Sequence, residues 1–68
     1  SMIAVHVCLI GSHQQLCVDL PYRDLGKLMD EVSHVRFILG SMSEPDETGV
    51  CRRVMIATGR IQCVIEAD

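Results

Sequence analysis

The sequence predicts an α+β domain of order β-β-α-β-β-β, with one amphipathic helix packed on one face of a mostly antiparallel five-stranded sheet. Three observations lead there. Apolar residues alternate through the first two segments, one later segment has helical periodicity, and the connections are short enough for hairpins. A sheet curled into a small barrel is the alternative arrangement.

The first strand runs from Ile3 to Ile10, with Ile3, Val5, Val7 and Leu9 on one face. The second, Gln15 to Leu20, places Leu16, Val18 and Leu20 together. Gly11-Ser12-His13-Gln14 makes a hairpin loop between them. That loop sets Leu9 against Leu16, Val7 against Val18 and Val5 against Leu20. Beyond Pro21, the residues Leu25, Leu28, Met29 and Val32 recur at helical spacing, and Tyr22 extends the face by a turn. Gly26 inside this helix costs about 1 kcal/mol relative to Ala, so a close approach to the sheet is one reason for its presence. The third strand, Val35 to Met42, is apolar on both faces: Phe37 and Leu39 on one, Ile38 and Met42 on the other. An acidic turn from Ser43 to Gly49 leads to a fourth strand, Val50 to Thr58. A tight turn at Gly59-Arg60 then returns the chain as a fifth, Ile61 to Glu66.

At 68 residues the chain has room for one domain, assigned to 2–68 with Ser1 as a cloning remnant before Met2. A domain of this size buries only about 60% of the surface its unfolded chain exposes. Yet 49% of its residues are hydrophobic and 22% charged, so apolar surface is left over. One helix covers one face of a sheet, while the last three strands are apolar on both. The expected partner is therefore a second copy of the chain, another protein being the alternative, and Ile38, Met42, Val54 and Ile56 are the expected interface. The apolar opening lacks a basic leader and falls short of the ~20 residues of a membrane span. A cytoplasmic location, with no membrane partner, is expected. A net charge of −3 disfavours general nucleic-acid binding.

Four cysteines, at 8, 17, 51 and 63, form no Cys-x-x-Cys pair. In the hairpin register above, Cys8 faces Cys17 and His6 faces Asp19. These four side chains are ligand types suited to a four-coordinate zinc site, and the two thiols are a candidate disulfide. The alternative is that the cysteines pack as small hydrophobes. Arg52, Arg53 and Arg60 are the main basic concentration, readable as phosphate contacts or as charges matched to Glu44, Asp46 and Glu47. That acidic turn lacks the ligand pattern of a calcium loop. Among His6, His13 and His34 and the serines, no nucleophile elbow, P-loop or dinucleotide fingerprint appears. Catalysis is not expected, and no cofactor is.

The run Ile56-Ala57-Thr58-Gly59-Arg60-Ile61-Gln62-Cys63-Val64 resembles the last strand pair of Sm-like RNA-binding proteins, with an apolar strand, a short Gly-containing turn and an alternating strand. The resemblance implies a ring-shaped oligomer binding single-stranded RNA near Arg60. The helix departs from that family's pattern, falling after the second strand rather than at the N-terminus. Three functional expectations follow. The first is a non-catalytic, self-associating interaction or regulatory module. The second is a small-barrel RNA- or DNA-binding protein using Arg52, Arg53 and Arg60. The third is a metal or thiol-redox protein using His6, Cys8, Cys17 and Asp19.

Overall fold

The computed structural model describes residues 1–67; the last residue of the expected domain, Asp68, lies outside them. Six elements appear in the expected order: β1 (Ile3–Leu9), β2 (Gln15–Leu20), α1 (Leu25–Val32), β3 (Phe37–Met42), β4 (Arg53–Ala57) and β5 (Ile61–Glu66). A three-residue 3-10 turn, Thr58–Arg60, links β4 to β5. All ladders are antiparallel, and the strands lie in the order β4-β3-β2-β1-β5. This is an α+β fold built on one five-stranded sheet.

The final turn does not make a hairpin. β4 and β5 occupy opposite edges, and β5 pairs with β1 instead. In a flat sheet, four inter-strand steps of about 4.8 Å would separate those edges by roughly 19 Å. Four residue steps of fully extended chain reach at most about 14 Å, and a 3-10 turn reaches less. The sheet must therefore curl. It remains open, since no ladder joins β4 to β5 among the described residues. The turn itself spans the open end. Thr58 donates its backbone N–H to the Arg36 carbonyl (2.9 Å) and its hydroxyl to the Val35 carbonyl (2.7 Å). On the other side, the Ile10 N–H donates to the Arg60 carbonyl (2.8 Å), and Arg60 Nη2 donates to the Ile10 carbonyl (3.0 Å).

The narrowest ladder of the sheet is the joint between the two hairpins. Among the described residues, β2 and β3 pair only at Val18–Met42 and Asp19–Ser41, extended by a bond from the Ser43 N–H to the Cys17 carbonyl (2.9 Å). Gly40 lies at the end of this ladder. A Cβ there would sit 2.5 Å from the Asp19 carbonyl oxygen and 2.6 Å from Leu20 Cδ2, so only glycine lets β3 cross Leu20 so closely.

The inner face of the curl holds the core: Ile3, Val5 and Val7 of β1, Val18 and Leu20 of β2, Ile38 of β3, Ile56 of β4, and Leu28 from α1. The helix starts four residues beyond Pro21. Asp24 is its N-cap and accepts the Lys27 N–H on Oδ1 (2.9 Å). Of its predicted apolar face, Leu28 is buried, Leu25 and Val32 are half-buried, and Met29 stays exposed. Gly26 meets only its own cap, Asp24 Oδ1, at 3.3 Å, so closeness to the sheet does not explain it.

The observed β1–β2 register differs from expectation by two residues. Val5 pairs with Val18, Val7 with Leu16 and His6 with Cys17, around a five-residue loop from Ile10 to Gln14. A two-residue shift leaves every side chain on its expected face. It changes which side chains meet.

Candidate functional site

Four surface features have enough chemistry to be weighed as sites. The first is apolar. On the β3–β4 ladder, Leu39 pairs with Met55 and Phe37 with Ala57. These side chains point away from the core, and Leu39, Met55 and Phe37 are 63%, 62% and 50% exposed. They form a contiguous outer patch at a free sheet edge. The residues expected to line an interface take the opposite face. Ile38 and Ile56 are buried in the core, and Met42 and Val54 pack against it. Both faces of this ladder are apolar in sequence, and the structure turns the Ile38–Ile56 pair inward under the helix side of the sheet.

The second feature is the outer face of β2, β1 and β5. His6 lies between Cys17 and Ile65, and one pleat further along Cys8 lies between Gln15 and Cys63. Cys8 does not face Cys17. The two are diagonal neighbours, which in antiparallel strands stand ~7–8 Å apart, beyond disulfide reach. His6 does not meet Asp19 either. Its Nδ1 donates to Gln15 Oε1 (3.1 Å), while Asp19 Oδ1 accepts the Ser43 hydroxyl (2.9 Å). Among the described residues, no group of three or more His, Cys, Asp or Glu side chains is placed to hold a metal ion. Pleated strands hold such side chains parallel, with no turn here to gather them. All four cysteines are free, Cys8 and Cys17 half-buried, Cys51 and Cys63 exposed. Hydrogen bonding to Cys63 pushes the Cys8 thiol above its ordinary value, with burial and the Cys63 charge acting in the same direction and Gln15 opposing them. Cys63 is the participant that the sequence reading missed, because its pairing with Cys8 depends on β5 joining β1.

The arginines form the third feature. Arg53 begins β4 beside Arg52, whereas Arg60 follows the far end of that strand. About 13 Å of extended chain separates the two ends, so the three do not converge. Arg60 spends one N–H on the Ile10 carbonyl. Among the described residues, the ion pair that forms is Arg23 Nε to Asp24 Oδ2 at 3.5 Å, and Arg52 and Arg53 make none with Glu44, Asp46 or Glu47.

Fourth, a cleft of about 340 Å³ opens between α1 and β5, lined by Leu25, Leu28, Met29, Val32, Thr58, Ile61 and Val64. Thr58 is its one polar side chain, and that hydroxyl already donates to Val35. A cleft without a titratable group offers neither an acid nor a base.

Comparison with protein-family models, curated proteins and solved structures returns no match. Among the described residues, no helix is long and apolar enough to cross a membrane.

Proposed function

We propose that this chain is a non-catalytic interaction module that associates with copies of itself through the outer face of the β3–β4 ladder. The observation that carries this reading is the exposed Leu39–Met55 pair, flanked by Phe37 at an unpaired sheet edge. Contiguous exposed apolar side chains favour burial against a partner, and a free edge strand offers unpaired backbone groups beside them. A second copy is the occupant these features suit best, since it brings both an apolar face and a strand edge.

Size-exclusion chromatography with light scattering tests the proposal. The wild-type chain is expected as a dimer or larger species. Leu39→Lys combined with Met55→Lys is expected to run as a monomer with an unchanged circular dichroism spectrum, since both side chains are exposed. A monomeric wild type, or a double variant that keeps the assembly size, overturns the reading. Co-elution with nucleic acid that is lost at high salt would instead favour the RNA-binding alternative through Arg52, Arg53 and Arg60.

A further inference from the structure

Apart from any self-association, the sheet register brings together two thiols that are far apart in sequence. Cys8 on the central strand β1 and Cys63 on the edge strand β5 are direct cross-strand partners on the outer face. Both are free, Cys63 is exposed and Cys8 half-buried. We propose that Cys8 and Cys63 form a reversible disulfide under oxidising conditions, a redox modification site that clips β5 to β1.

The geometry is favourable at each step. Directly opposed residues in antiparallel strands have Cα atoms about 4.5 or 5.5 Å apart, both inside the range of about 4.4–6.8 Å that a disulfide spans. Their Cβ atoms stand about 4.5–5.5 Å apart, so bridging at about 3.5–4.5 Å needs an approach of roughly 1 Å. The ladder has slack at this point, because its register shifts between Cys8 and Leu9. β5 is also an edge strand, free to move on its other side. Neither remaining cysteine competes. Cys17 is diagonal to Cys8 and two strands away from Cys63, and Cys51 lies in the loop before β4, at the opposite edge.

A small oxidised disulfide such as glutathione disulfide is a sufficient oxidant. The exposed Cys63 thiolate attacks one of its sulfurs, breaking that S–S bond and releasing one small thiolate. The mixed disulfide on Cys63 is then attacked by the Cys8 thiolate, which forms the Cys8–Cys63 bond and releases the second small thiolate. The protein gives up two electrons and two protons, and the small disulfide becomes two thiols.

The test is to equilibrate the chain in glutathione buffers of varied reduced-to-oxidised ratio, quench with an alkylating agent under denaturing conditions, and measure intact mass. On the oxidised side a monomer is expected that has lost two hydrogens and takes up two alkyl groups instead of four. Cys17→Ser and Cys51→Ser should each retain that loss. Cys63→Ser, a change at an exposed position that leaves the fold intact, should abolish it, and Cys8→Ser should stop at a glutathione adduct. The oxidised wild type should also unfold at a higher denaturant concentration than the reduced one, a difference absent from Cys63→Ser. Four alkylated thiols at every ratio, persistence of the bridge in Cys63→Ser, or a disulfide-linked dimer in its place would each overturn the assignment.

Discussion

Asp46 shows how one side chain organises a segment that composition marks only as polar. Its Oδ1 accepts the Thr48 hydroxyl (2.7 Å), the Thr48 N–H (2.9 Å) and the Val50 N–H (3.0 Å). The Thr48 hydroxyl, followed by the Val50 amide, holds the Asp46 carboxyl below its ordinary value of 3.8, against a weaker opposing effect of burial. The Lys27 amide does the same to Asp24 at the start of α1. A carboxylate with a lowered folded pKa contributes stability that is complete above the unfolded value and is lost as pH falls through the folded one. Denaturant midpoints should therefore decline as pH drops below 3.8. Asp46→Asn, which keeps an acceptor oxygen but not the charge, should lower the midpoint at neutral pH and make the acid decline shallower. An identical acid profile in the variant would rule out this role. The sequence showed an acidic turn at Glu44, Asp46 and Glu47. It did not show which acid serves the backbone, because that depends on how the loop closes around Gly49.

Strands and helix are legible from apolar spacing, and β2 and β5 match their predicted limits. What the spacing leaves open is what lies opposite. A two-residue register shift preserves the faces of β1 and β2, so alternation alone permits both pairings, and the shift is what parts Cys8 from Cys17. The β3–β4 ladder poses the same problem for faces. With apolar residues on both parities, the pattern does not distinguish Ile38–Ile56 from Leu39–Met55 as the buried pair. Glycines differ in a way that only packing reveals. Gly40→Ala forces a methyl against the Asp19 carbonyl and Leu20, and overpacking of this kind costs about 1–3 kcal/mol. Gly59 has open space around its missing Cβ and no positive φ, so Gly59→Ala should be neutral or stabilise by up to about 1 kcal/mol. Chemical denaturation of the two variants checks the contrast, and equal effects would contradict the close crossing at Gly40.

For the whole molecule, topology was the hardest feature to read. Two strands joined by Thr58-Gly59-Arg60 look like a hairpin, because short connections usually join neighbours. Here the same three residues connect opposite edges of the sheet, which is possible only because the sheet curls. Local sequence has no direct signature for that curl, since it arises from the narrow β2–β3 joint and from the bonds tying Val35, Arg36 and Ile10 to the turn. The thiol pair depends on the same topology, and so was not legible before β5 was placed beside β1.

The pairing of β1 with β5 also bears on the order of events in folding. The first strand of the sheet obtains one of its two neighbours from the last. Contacts of such high sequence separation slow folding, because loop-closure entropy is lost before they form. On the ribosome, Val5 and Val7 would wait with one strand edge unsatisfied until Ile61–Glu66 emerges, a stage at which unpaired edges are prone to aggregate. A chain ended after Arg60 should accordingly show no cooperative unfolding transition. Supplying residues 61–67 as a separate peptide should restore it in a concentration-dependent way, and a cooperative transition without the peptide would show that β1 does not need its last partner.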